Sequence, residues 1–249
     1  MSEGVSVQVN FSKPIGLFPL EGVTLFPHQV LPLHIFEPRY RQMIGHALDG
    51  SGQLAMAVFA GKGWKQNYHG RPRVRKAACL AQIMQHESLE DGRINVLIQG
   101  ICRARIVREL PAAEDVLYRQ AILEPIGLES IGPESAAAAD AEHDPLSHMR
   151  PRLDALLSEG PLTHLTVAES VLEYLRNEEI PMHAVLEVLS FSVLGEHSTA
   201  AETRYELLAE GNPNTRATII EEQLVSLQGL IQRGLTQGSD QWPKGVSWN

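Results

Sequence analysis

A chain of 249 residues with 43% hydrophobic and 20% charged content has the make-up of a globular protein, with length for one large domain or two small ones. Its net charge of −9 is unevenly spread, +3 over residues 1–126 and −12 over 127–249, so the second half is a poor grip for nucleic acid. No apolar run approaches the ~20 residues that span a bilayer, the start lacks the basic and apolar stretches of a signal peptide, and two cysteines, Cys79 and Cys102, make no disulfide framework; a cytoplasmic location is expected.

The first half reads as strands: Ile15–Leu20, Thr24–Phe26, Val30–Phe36, Leu54–Phe59, Val74–Gln85, Ile94–Gln99, Cys102–Arg108 and Tyr118–Glu124. They are short and punctuated by Gly, Pro and Asp-Gly, the pattern of a closed or partly closed β structure. Asp91-Gly92 supplies a hairpin turn, and Gly100 reads as a break between two strands. One helix interrupts them. It starts at Glu37-Pro38, carries a stripe of Tyr40, Ile44, Ala47 and Leu48, and ends at Asp49-Gly50. Residues 60–72 form an exposed, glycine-containing loop. Residues 127–145 read as a linker. Helices follow, with capping boxes at Thr166-x-x-Glu169 and Thr199-x-x-Glu202, a start at Pro181, and a long last helix over Ile220, Leu224, Leu227 and Ile231. The expected division is a barrel over 1–126, a linker over 127–145, a helical bundle over 146–235 and a loose tail over 236–249.

Two segments carry a family resemblance. Residues 17–40 read LFPLEGVTLFPHQVLPLHIFEPRY, and residues 91–106 read DGRINVLIQGICRARI. Both are similar to the amino-terminal domain of Lon proteases, and Ala81-Gln82-Ile83 between them also fits. Ala78 departs from that pattern, which has glycine there. The resemblance implies an α+β fold: a PUA-like β pseudo-barrel followed by an α-helical bundle, here in a stand-alone form without the ATPase and protease modules. Gly61-Lys62-Gly63 is no phosphate loop, since it lacks the upstream glycine spacing and a following hydroxyl.

No catalytic residues, metal ligands or cofactors are expected. The ten histidines show no paired-ligand spacing, and His143 and His148 read as a solvated polar segment. His34 reads as satisfying a backbone partner. Glu37 reads as meeting the amides of the helix start, with Arg39 on the exposed side. Arg71, Arg73, Arg75 and Lys76 form one basic cluster, and Arg103, Arg105 and Arg108 another. Trp64 and Tyr68 either anchor a partner or fold back over the barrel mouth.

The partner-binding candidates are Trp64, Tyr68, Arg71 and Arg73. The expected role is a non-enzymatic polypeptide-binding module, an adaptor or substrate-recognition protein in proteolysis or quality control. Its partners would be unfolded or degron-bearing polypeptide and a protease or chaperone, captured by apolar contacts and by pairing at an edge strand. Two alternatives stay open: a small-molecule module with a pocket between barrel and bundle, and an RNA-binding PUA-like domain.

Overall fold

The computed structural model describes residues 8–61, 63–127, 146–165, 167–192 and 200–236. The chain divides into two compact units, Met1–Ala136 with Glu196–Asn212, and Ala137–Gly195 with Pro213–Asn249.

The first unit contains β1 (Ile15–Pro19), β2 (Val30–Ile35), α1 (Pro38–Leu48), β3 (Gln53–Phe59), β4 (Val74–Ser88), β5 (Ile94–Glu109) and β6 (Arg119–Pro125). Neighbouring strands run β2-β5-β4-β3-β1-β6, and β6 returns to pair with β5. Five strands therefore close on themselves, while β2 lies along the first half of β5. Among the described residues, only β1 and β3 run parallel. The interior holds Ile15, Leu17, Leu80 and Leu123 together with Ala55, Ala78, Ala104 and Ala121. Few strands make a narrow barrel, and alanine at alternate positions lets it close without overpacking.

Several expectations change at the level of single elements. Gly100 does not divide two strands, because β5 runs unbroken through it. Ile101 is an extra residue there, bulging between the pairs Ala81–Gly100 and Leu80–Cys102. Thr24–Phe26 is not a strand but a loop that buries Leu25 and Phe26. Pro38 opens α1 as expected, and the helix buries Tyr40, Met43 and Ile44.

The second unit contains α2 (Met149–Ser158), a 3-10 turn (Gly160–His164), α3 (Ala168–Arg176), α4 (Met182–Ser192) and α6 (Pro213–Thr236). Its core includes Leu153, Leu157, Leu162, Val171, Leu175, Leu186, Leu189, Ile220 and Leu224. Helix α3 buries Ala168, Val171 and Leu175, and α4 buries Val185, Leu186 and Leu189, each at helical spacing. The sequence reading places α2 within the bundle without naming it as a helix, and Pro151 sits near its start. Proline in a first turn costs no hydrogen bond, and Met149, Leu153 and Leu157 share one face.

The remaining helix, α5 (Ala200–Ala209), belongs to the first unit and lies against β4 and β5. The sequence reading groups it with the bundle, since helical spacing does not reveal which surface a helix buries. The caps at Thr166 and Thr199, the segment 128–145 and the tail beyond Thr236 lie outside the described residues. Among the described residues, no helix is long and apolar enough to cross a membrane.

Candidate functional site

Three pieces of chain meet where β2 ends: the start of α1, the last residue of β3, and the turn over residues 60–72. The Ala60 N–H donates to the Arg73 carbonyl at 2.9 Å and closes the base of that turn. Inside it, Gly63–Asn67 winds as a 3-10 turn. Trp64 stacks on Phe59 with ring centroids 4.4 Å apart and planes 4° from parallel. Tyr68 meets the Trp64 ring edge-on at 5.9 Å. Both rings are half-buried, so the loop is folded onto the barrel rather than standing free.

Glu37 and Arg39 hold this turn to α1. The Glu37 carbonyl accepts the N–H groups of Tyr40 and Arg41, at 3.0 and 2.9 Å. Its carboxylate caps no amide. Instead it accepts the Tyr68 hydroxyl at 2.5 Å and Arg39 Nε at 3.0 Å. Arg39 is not solvated either. Its guanidinium lies 4.5 Å from the Tyr40 ring centroid and 4.7 Å from that of Tyr68. The expectation of a helix-capping Glu37 beside an exposed Arg39 is thus corrected. Glutamate is longer than the preferred capping residues and reaches charge-assisted donors on the turn. Burial raises the Tyr68 hydroxyl above its ordinary range, and the bond to Glu37 adds to the shift. Tyr40 is raised as well, chiefly by burial. Both phenols stay protonated as donors.

Beside this knot the apolar surface is open. Phe36, adjoining Glu37 in the chain, is 63% exposed, and Val30 at the other end of β2 is 50% exposed. Among the described residues, β2 pairs with β5 alone. Gly100 N–H donates to the Gln29 carbonyl at 2.9 Å. Given that register, the inward amides are those of Leu31, Leu33 and Ile35, while Pro32 turns its donorless nitrogen outward. Sequence reasoning singled out neither Val30 nor Phe36. Their period-2 spacing was visible, but which face is wet depends on the pairing with β5.

The basic residues divide between exposed positions and positions packed or paired within the fold. Arg71 and Arg73 are exposed, and Arg71 Nη2 donates to the Leu110 carbonyl at 3.1 Å. Arg75 lies under α5, its guanidinium 3.4 Å from the Tyr205 ring centroid and 2.8 Å from Glu202. Arg103 is buried, donating from Nε to the Leu207 carbonyl at 3.1 Å. Arg105 pairs with Glu124 at 3.0 Å. The second basic cluster is therefore not a continuous solvated strip. His34 is exposed, with Nδ1 2.7 Å from Asn95 Oδ1 and Nε2 3.2 Å from Arg93 Nη1. These are side-chain partners across the β2–β5 pair, not the expected backbone partner, because His34 points off the sheet face rather than along the ladder.

A family model described as the ATP-dependent protease La (LON) substrate-binding domain matches residues 15–226. The chain belongs to this family. It is 24% identical to the Lon protease of Desulfovibrio desulfuricans over 235 residues, which is 92% of this chain and 24% of that protein. Against the Lon protease of Escherichia coli K12 it is 29% identical over 92 residues, 37% of this chain and 12% of that protein. The chain thus spans a quarter or less of these relatives. Among solved structures, it resembles the N-terminal domain of the Mycobacterium avium complex Lon protease with a TM-score of 0.58 and 18% identity, over 86% of this chain and 98% of that one. A Lon N-terminal domain protein from Xanthomonas campestris gives a TM-score of 0.52 and 17% identity over the same shares. These two likenesses establish the Lon N-terminal fold.

Proposed function

We propose that this chain is a polypeptide-recognition module of Lon-type proteolysis, without catalysis of its own. It takes unfolded or degron-bearing segments and presents them to a protease. Membership of the substrate-binding-domain family carries this reading. The local surface supports it: Phe36 offers an exposed ring, Trp64 and Tyr68 add half-buried rings held in place by Glu37 and Arg39, and β2 pairs among the described residues with β5 alone, which leaves its other edge to an extended chain. Pro32 restricts how far such pairing can run, so side-chain contacts supply most of the affinity.

The test is fluorescence anisotropy with a labelled, unfolded peptide rich in aromatic residues. Phe36→Asp is expected to weaken binding by at least about tenfold, as for a central aromatic contact. Trp64→Ala with Tyr68→Ala is expected to weaken it further. Affinity unchanged in both variants would refute the assignment of this surface. ATP hydrolysis or casein cleavage by the purified chain would refute the non-catalytic reading.

A further inference from the structure

Next to the aromatic turn, positive charge with no ion-pair partner among the described residues gathers where β4 begins and β5 ends. The Pro72 carbonyl accepts Arg119 Nη1 at 2.6 Å, while the other nitrogens of Arg119 grip Glu109 at 2.6 and 2.9 Å. With the bond from Arg71 to Leu110, these contacts run residues 71–73 beside residues 108–110. Arg71, Arg73, Lys76 and Arg108 are all exposed there. The nearby acids are already committed: Glu109 to Arg119, Glu124 to Arg105 and Glu202 to Arg75. Glu114 and Asp115 lie on the next loop, which Gln42 draws toward α1 through the Asp115 carbonyl at 2.7 Å and the Leu117 N–H at 2.8 Å. Among the described residues, no carboxylate forms an ion pair with any of the four cations. Val107 bulges from the β5–β6 register beside Arg108 and is 54% exposed.

We propose that this corner binds acidic segments of polypeptide, with carboxylates on the four cations and an aliphatic side chain against Val107. The inference rests on the polypeptide-recognition reading and adds a preference for charge to it. Charge complementarity of this kind sets specificity and encounter rate more than raw affinity. A polypeptide fits better than a nucleic acid. Four cations on a chain of net charge −9 are a short footprint for a phosphate backbone, and the exposed apolar neighbour is an aliphatic residue rather than a ring on which bases stack.

The experiment uses two short, labelled, unstructured peptides of Leu, Ser, Gly and either Glu or Gln, with anisotropy measured from about 50 mM to about 300 mM salt. The Glu peptide is expected to bind about tenfold more tightly at low salt, with the two converging at high salt. The quadruple variant R71Q/R73Q/K76Q/R108Q is expected to lose that preference, binding the Glu peptide no more tightly than the Gln peptide. The triple variant that retains Arg71 preserves the bond to Leu110 and is expected to lose most of the preference. Equal binding of both peptides to the native chain overturns the proposal, as does a preference that survives in both variants. A single-stranded RNA of equal charge that binds more tightly than the Glu peptide assigns the corner to nucleic acid and also overturns it. Binding of neither peptide also overturns this proposal, while the aromatic-rich peptide at the Phe36 surface tests the underlying polypeptide reading separately.

Discussion

The phenolic oxygen of Tyr205 accepts the backbone N–H of Ala77 at 2.8 Å. Residues 75–77 of β4 stand opposite the single residue Val58 of β3, between the pairs Phe59–Val74 and Ala57–Ala78. Such a bulge leaves a strand amide without its ladder partner, and α5 supplies the acceptor. Tyr205→Phe keeps the ring under Arg75 but leaves the Ala77 amide unsatisfied. The expected loss is about 1–3 kcal/mol of stability, read from urea denaturation, with faster hydrogen exchange at Ala77.

Gly100 is set by a backbone that comes from far away in the sequence. A methyl group placed on it would sit 2.0 Å from the Phe26 carbonyl oxygen. The same loop bonds to it in both directions, from His28 N–H to the Gly100 carbonyl and from Gly100 N–H to the Gln29 carbonyl, each at 2.9 Å. A clash with backbone has no flexible side chain to relieve it. Gly100→Ala should cost about 3 kcal/mol or more, seen as a large drop in the denaturation midpoint.

Asp154 ties α2 to α3. Arg176 Nε donates to it at 2.6 Å and Ser158 Oγ at 3.2 Å. The hydrogen bond from Arg176 holds the Asp154 carboxyl below its usual range. A depressed carboxyl stabilises the fold at pH values above the ordinary aspartate range, near 3.9, and that stabilisation fades as pH falls through the folded-state value. The pair is substantially solvated, so its contribution is small. Asp154→Asn is expected to cost about 0.5 kcal/mol at neutral pH and to approach the native chain in stability as pH falls below the ordinary aspartate range. Thermal melts of both proteins across that range check this.

Burial pushes the Cys102 thiol up to about 11, and Cys79 is fully buried. At pH 8 the Cys102 thiolate is then a fraction of about one in a thousand. Ellman's reagent should react with the folded protein at least about a hundredfold more slowly than with free cysteine. Both thiols should titrate promptly in urea.

Local chemistry wrote much of this molecule legibly into the chain. The Asp91-Gly92 turn forms as read, with Gly92 at a φ of 78° and Asp91 Oδ1 accepting the Arg93 N–H at 3.0 Å. Pro38 opens α1, and the period-2 and helical stripes mark most strands and helices, because hydrophobic periodicity and turn residues act within a few positions. The motifs of residues 17–40 and 91–106 likewise pointed to the Lon amino-terminal fold. What stayed hidden depends on distant partners. Gly100 looks like a strand break until Phe26 approaches it. Glu37 looks like a cap until Tyr68 offers a better donor, and Arg103 looks like part of a basic cluster until α5 lies over it. The exposure of Val30 and Phe36 follows from which strand pairs with β2. Local spacing sets what an element is; long-range packing, which no short window of sequence contains, sets what that element touches and leaves open.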